Sequence, residues 1–457
     1  MRLLRPEPLC ALLAAMIVFA GLDVPIVEDG LFWWVPKALL VAERGTAFVL
    51  DTLPHAARPE APLPPQWQGG LPDYGHPPLW FWALGLVIRV FGAHHSSVHV
   101  AALPLAALFG WGAAGLLRRA GGGTAAWAAL VLPLLPPVAA QLLRADTDLP
   151  LLALTPWALI GVLDRREGLF AVTAGLATAC KEPGILLAAP ALAANLVDRR
   201  VGWGWAWPPM VLAAWAGIHH AETGWALAGS ERLPETAGVW LRDMGSVLRI
   251  VMVEQLRWLA LPVAAWGLWR HRPQGRPLLI LGVHVAVQLG FFGTLNFLGG
   301  LDRLDAYTHV RYLLPGLVGW AAMLCALSPL AALPLTLGAA VFFFRPSADG
   351  PEASLYGLDV ALAVREAAPH VAAMQRPVWV GTYAWTQYTR PFAGVVELPM
   401  DDLRYYALDT DPADVHGWVV EACEGEPLGR LQELDLVLTE EVRVRHAWVR
   451  LYRVGPR

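Results

Sequence analysis

AGLDVPIVEDGLFWWVP, residues 20–36, ends an apolar run on the acidic pair Glu28-Asp29 and passes straight into Phe32, Trp33 and Trp34. Charged carboxylates are costly to keep beside a bilayer, so an acidic pair there, flanked by aromatic rings, points to a site. The preceding run, MRLLRPEPLCALLAAMIVFAG, has the basic start and apolar core that signal peptides share with first membrane spans. It reads as an uncleaved first span near 8–25, because cleavage near Ala20 would detach the acidic pair from its helix.

Composition supports a membrane setting. The chain of 457 residues is 56% hydrophobic and 16% charged, with mean hydropathy +0.46; soluble domains average about 45–50% apolar and about 25% charged. The net charge of −4 conceals near balance before about residue 345 and an acidic excess after it. There is no basic arm, which excludes a nucleic-acid partner. The four cysteines, Cys10, Cys180, Cys325 and Cys423, lie far apart and form no CxxC, so they imply neither a zinc site nor a disulfide framework.

Beyond the acidic pair a polar excursion runs to residue 78, rich in proline and carrying Trp67 and Tyr74. It is too long for a simple connector. Residues 31–44 read as a short amphipathic helix on the membrane surface. LWFWALGLVIRVFG, 79–92, is apolar but too short for the ~20 residues a bilayer core needs, and reads as a juxtamembrane helix. Better spans are 98–117, 124–143, 149–163, 168–180, 184–197, 205–221, 247–268, 277–297, 312–327 and 330–344. Arg2, Arg5, Arg118-Arg119, Arg165-Arg166, Arg199-Arg200, Arg270, Arg272 and Arg276 then share one side, which the positive-inside rule makes cytoplasmic. The loop 26–78, the segments 144–148 and 298–311, Lys181-Glu182 and the tail all fall on the other.

The tail, 345–457, changes character. RPVWVGTY, GVVEL, GWVVEA, DLVLTE and HAWVRLYRV are short β-branched and aromatic runs between turn residues, and DVALAVREAAPHVAAM is helix-like. A small α/β domain outside the membrane is expected.

Four motifs on the outer side could carry chemistry. They are Glu28-Asp29 with the later GHPPLWFW (Gly75 to Trp82); RADTDLPL with Arg144, Asp146 and Asp148; CKEPG with Lys181 and Glu182; and HVRYLLP with His309, Arg311 and Tyr312. Each has an ordinary explanation: acids at a helix N-terminus complement its dipole, interfacial cations snorkel, and Trp and Tyr favour the interface. Asp146 could pair only with Arg144, and Asp148 could only cap the next helix. Lysine occurs only at Lys37 and Lys181 in a chain that otherwise uses arginine, a modest sign that Lys181 is wanted for its compact charge. His94, His95 and His99, and His219, His220 and Glu222, show no ligand spacing and read as interfacial.

In their order and shared side, these motifs resemble the GT-C superfamily of membrane glycosyltransferases, especially the branch of protein O-mannosyltransferases and the lipid A aminoarabinose transferase. The similarity covers about residues 1–330. In that branch the first outer loop opens on an acidic pair, here Glu28-Asp29, and closes on a PPL element, here Pro77-Pro78-Leu79. An acid before Pro-Leu follows, here Asp148, then a Lys-containing hairpin, here Lys181 to Gly184, and an Arg-Tyr-x-x-Pro element, here Arg311 to Pro315. Lysine often precedes PPL in the branch, and this chain has His76.

The spans and the tail's strand pattern together read as a polytopic α-helical membrane protein of GT-C-like type, with about eleven transmembrane helices plus juxtamembrane helices over 1–344 and a small extracytoplasmic α/β domain over 345–457. The resemblance implies an inner-membrane hexosyl- or pentosyltransferase acting at the periplasmic face, with a polyprenyl-phosphate sugar as donor and a protein, glycolipid or polysaccharide hydroxyl as acceptor. Asp29, with Glu28 next in line, would be the catalytic base. Arg311, Lys181, His76 and Tyr312 would bind the donor phosphate. Asp148 and Asp146 could hold a divalent cation (Mg, Mn or Zn). Trp33, Trp34, Trp67 and Tyr74 would contact sugar or acceptor. A transporter or flippase for a lipid-linked or small substrate, and a non-catalytic relative, stay open, although acids gathered on one face and the lack of an inverted repeat disfavour transport.

Overall fold

A computed structural model of the chain describes residues 5–26, 34–46, 76–144, 146–223, 226, 237–271, 275–294, 310–345, 354–375, 377–381, 384, 387–388, 394, 403–406, 410–422 and 428–455. Its α-helices are α1 (Pro6–Ala20), α2 (Val35–Arg44), α3 (Leu79–Phe91), α4 (His95–Ala128), α5 (Pro136–Arg144), α6 (Asp148–Leu163), α7 (Glu167–Cys180), α8 (Ala188–Asp198), α9 (Trp207–Thr223), α10 (Ala237–Leu248), α11 (Ala260–His271), α12 (Gly275–Thr294), α13 (Leu314–Leu327), α14 (Ala332–Phe342) and α15 (Tyr356–Ala373). The chain forms two compact units, one of residues 1–20, 74–80 and 100–355, the other of 21–73, 81–99 and 356–457. The turn after α1 groups with the tail through bonds described below.

The first unit is helical. Gly110 of α4 sits on the backbone of α1, where an added Cβ would lie 2.3 Å from the Cys10 carbonyl oxygen; Cys10 in turn donates its S–H to the Ala129 carbonyl at 3.4 Å. Small residues at such a crossing let apolar helices approach to backbone contact. By length and composition, three stretches among the described residues can cross a bilayer: His95–Leu134, Gly275–Thr294 and Val310–Leu327, with α5 and α6 together a fourth. Helix breaks shorten the rest. The expected span 247–268 is interrupted where Gln255 (φ 53°) and Leu256 (φ 63°) turn left-handed between α10 and α11. Hydropathy registers the apolar run but not the broken hydrogen-bond ladder. Within 98–143 the helix breaks at Gly122 (φ 84°), between the two spans read there.

The second unit joins α2 and α3 to the tail. Trp34 and Phe81 pack with ring centroids 5.8 Å apart, and the Trp82 indole donates to the Thr46 carbonyl at 3.1 Å. Residues 35–41 of α2 are all buried, while Glu43 and Arg44 at its end are exposed.

The tail sheet comprises β1 (Val378–Val380), β2 (Leu403–Tyr405), β3 (Trp418–Ala422), β4 (Leu436–Val444) and β5 (Ala447–Val454), in the order β2-β1-β3-β5-β4. β1 runs parallel to β2 and β3, and β5 antiparallel to β3 and β4. Strand alternation explains the two faces. Val378, Val380, Val420, Val449 and Leu451 meet Ala363, Val364, Ala367 and Val371 of α15, while Val419 and Tyr452 point the other way onto Tyr406, Leu428 and Leu431.

Asp359 of α15 accepts a hydrogen bond from Arg445. Burial raises its pKa from 3.8 to about 6, against the pull of the Arg445 charge. The folded chain therefore holds this proton through a window in which the unfolded chain has released it. Its contribution is fully present below the unfolded value of 3.8 and lost as pH rises through about 6, a change on the order of 3 kcal/mol. Asp359→Asn should flatten the tail's unfolding profile across pH 4–6, measured by thermal melts against wild type. An unchanged slope would contradict the assignment.

Candidate active site

Asp148 opens α6, and Lys181 follows the last residue of α7 in an extended conformation, φ −157° and ψ 138°. The next residues fold back as the 3₁₀ turn Glu182–Leu187. Only glycine fits at 184, because an added Cβ would lie 2.4 Å from the Thr178 amide nitrogen. The Gly184 N–H closes the turn on the Lys181 carbonyl at 3.0 Å. The CKEPG sequence is therefore a tight reversal that fixes Lys181 at the end of its helix.

From there Lys181 Nζ reaches Asp148 Oδ2 at 2.5 Å and lies 4.2 Å from the centre of the Tyr312 ring. Arg311 enters from the 3₁₀ turn Val310–Leu313 ahead of α13. Its Nε is 3.7 Å from Asp148 Oδ2 and its Nη1 4.0 Å from Asp146 Oδ2. Its Nη2 donates to the Tyr312 hydroxyl at 3.1 Å, and Phe292 stacks on the Tyr312 ring at 5.9 Å. Lys181, Asp146, Asp148 and Arg311 are 1%, 2%, 2% and 4% exposed. Desolvating each such ion costs several kcal/mol, which only close opposite charges offset. Lys181 and Arg311 thus meet Asp146 and Asp148 in a dry setting. His76 is adjacent in the fold, its Nδ1 facing both Glu182 oxygens at 2.7 and 2.9 Å.

Asp146 and Asp148, read as possible metal ligands, face Lys181 and Arg311. Among the described residues no three of His, Cys, Asp and Glu gather as a ligand set. Asp146 and Asp148 by themselves supply fewer oxygen ligands than a divalent cation takes.

Glu28, Asp29, Trp33, Trp67, Tyr74 and His309 lie outside the described residues. The chain just before the acidic pair is held firmly within the second unit. The Val24 carbonyl accepts from His99 Nε2 at 2.8 Å, and His95 Nε2 faces Asp23 Oδ1 at 3.3 Å. From α15, Arg365 donates to the Asp23 carbonyl at 2.6 Å and to its carboxylate at 3.2 Å. Gln387 donates to the Ile26 carbonyl at 2.9 Å. Sequence reading took His95 and His99 for interfacial residues and missed Arg365 and Gln387, which stand in no motif. Trp34, expected against sugar, is buried on Phe81, and His219 is buried beside Trp215, ring centroids 5.5 Å apart.

Residues 75–218 match the family model of dolichyl-phosphate-mannose-protein mannosyltransferases, a stretch that includes His76, Asp146, Asp148, Lys181 and Glu182. Among solved structures, ArnT from Cupriavidus metallidurans bound to undecaprenyl phosphate aligns over 98% of this chain and 99% of its own, with TM-score 0.52 and 14% identity. The apo form of that protein aligns over 98% of both chains with the same TM-score and identity. This chain has the fold of ArnT. The GT-C resemblance drawn from motif order thus recurs in a family match over the PPL-to-hairpin region and in a fold match over nearly the whole chain. No curated protein matches the chain by sequence.

Proposed function

We propose that this GT-C chain transfers a hexosyl or pentosyl unit from a polyprenyl-phosphate carrier to an acceptor hydroxyl, with inversion, at the periplasmic face of the inner membrane. In this topology the shorter helices complete about eleven crossings. The observation that carries the reading is the meeting of Lys181 and Arg311, from distant parts of the chain, on the buried Asp148. A phosphate leaving group needs preorganised positive charge in a water-poor site, and this pair supplies it. Arg311 can grip phosphate through two parallel hydrogen bonds and Lys181 as a point charge. Solved ArnT is bound to undecaprenyl phosphate, a ligand of the same class.

In the reaction, the acceptor oxygen attacks the anomeric carbon and gives its proton to Asp29, with Glu28 next in line. The bond from that carbon to the phosphate oxygen breaks on the opposite side, and the carrier leaves as a phosphate monoester held by Arg311 and Lys181, Tyr312 keeping both cations in place. His76, fixed by Glu182, completes the phosphate side. Trp33, Trp67 and Tyr74 contact sugar or acceptor, which is protein, glycolipid or polysaccharide.

The test is release of polyprenyl phosphate by the full chain in lipid nanodiscs, offered a panel of polyprenyl-phosphate sugars. Release by wild type and none by Arg311→Met supports the proposal; a folded wild type that binds no panel member overturns it. Because Asp146 and Asp148 are committed to cations, EDTA should change turnover by less than about 2-fold, whereas a catalytic metal would contribute several kcal/mol. Arg365→Met with Gln387→Leu releases the chain at 23–26 and should lower turnover by about 10²-fold, the scale of an ångström-level misplacement, with donor affinity unchanged. Parallel donor-binding and turnover assays read both; equal losses in the two would refute a positioning role.

A further inference from the structure

The end of α6 away from Asp148 carries a second constellation. With 16 residues rising about 1.5 Å each, the helix separates the two ends by about 24 Å. There a surface cleft is lined by Arg165, Glu167, Asp198, Arg200, Trp205 and Arg276, among others. Asp198 takes Arg165 at 2.9 Å and Arg276 at 2.7 Å. Arg276 is then fully used, since it also donates to the Leu163 and Val162 carbonyls at 3.0 and 3.3 Å and so caps α6. Glu167 accepts from the Trp203 amide at 2.9 Å, and Asp164 pairs with Arg119 at 2.7 Å. With these acids engaged, Arg166, Arg199 and Arg200 are the surplus cations of this end, and Arg200 lines the cleft.

Backbone conformation singles out the same residues. α6 and α8 both end in turns closed by a six-residue bond, Arg166 N–H to the Gly161 carbonyl at 2.8 Å and Arg200 N–H to the Asn195 carbonyl at 2.9 Å. The left-handed position of each turn, ordinarily glycine, is Arg165 (φ 58°) and Arg199 (φ 50°). Complementing the helix dipole does not explain both, because Arg276 already serves α6. Trp203, Trp205 and Trp207 are 61%, 38% and 42% exposed, the pattern of an indole belt at a lipid–water boundary.

We infer that this cleft binds the phosphate of an anionic phospholipid headgroup, with Arg200 and the unspent Nη1 of Arg165 as its ligands. A basic pocket between apolar helices, opened at an indole belt, recognises headgroup phosphate with the acyl chains running along the helices beside it.

Native mass spectrometry of the full chain, released from micelles doped with phosphatidylglycerol or phosphatidylcholine, tests the inference. Wild type should retain phosphatidylglycerol in preference. Arg200→Gln should lower that preference by about 5-fold, the worth of one surface arginine. The melting temperature in phosphatidylcholine should hold, since Arg200 closes its turn through its backbone N–H. Lys181→Met, at the other end of α6, should leave the preference intact, and inorganic phosphate should not displace the lipid. A preference that survives in the arginine variant, disappears in Lys181→Met or yields to inorganic phosphate would overturn the inference.

Discussion

Asp29→Asn should bind the polyprenyl-phosphate sugar as wild type does and release the carrier about 10² to 10⁴-fold more slowly, the range that loss of a general base produces. Asparagine keeps the shape of the side chain but accepts no proton from the acceptor hydroxyl. The grip on the donor is assigned to Lys181 and Arg311, whose mutual partner is Asp148, so affinity should not follow turnover. Single-turnover release and equilibrium binding, measured on one preparation, separate the two quantities. If Glu28→Gln is the slower variant and Asp29→Asn stays within about 3-fold of wild type, the base is Glu28 and the assignment is wrong.

Lys181→Met should have the second large effect, on both binding and stability. It removes the cation 2.5 Å from Asp148 and leaves a carboxylate that is 2% exposed. Breaking a buried pair costs about 3–5 kcal/mol; Arg311 at 3.7 Å still shares the charge, which sets the loss at the lower end. Donor affinity should fall by at least about 10²-fold, the consequence of losing a desolvated charge–phosphate contact. Adding Asp148→Asn should restore the melting temperature without restoring binding, because the unpaired charge is removed while the phosphate's cation is still missing. A double variant that recovers both would make Lys181 a structural partner and leave Arg311 alone at the phosphate.

The cluster itself was legible in sequence because its members sit at element ends, where punctuation is strong. Lys181 precedes Pro183 and Gly184 at a reversal, Asp148 opens an apolar run, and Arg311 stands just before Pro315. What could not be read was who meets whom. Asp146 and Asp148 stand beside Arg144 in sequence, and nothing in the sequence says that Lys181 reaches Asp148. Span lengths were misjudged for a similar reason: apolar character persists through Gln255 and Leu256 while the backbone there turns left-handed. In the tail, β1, β3 and β5 fall within the β-branched runs and β4 starts in one and runs on to Val444, but β2, three residues long with one buried side chain, is an edge strand with almost no pattern to show. Arg365 and Gln387 were invisible because each is an ordinary polar residue of an α/β domain, and only distant chain gives them a purpose.

That distance also sets an order of events during synthesis. Arg365 is 342 residues beyond Asp23, and at about 5–20 residues per second the ribosome needs tens of seconds to bridge the interval. Throughout that time the turn at 23–26 has emerged while its latch has not, and the helices of the first unit are being inserted meanwhile. The second unit, built from residues 21–99 in part and from the latest part of the chain, can close only after translation has nearly ended. A stalled or truncated product would thus carry the apolar helices but not the fastening of the segment that leads into Glu28 and Asp29.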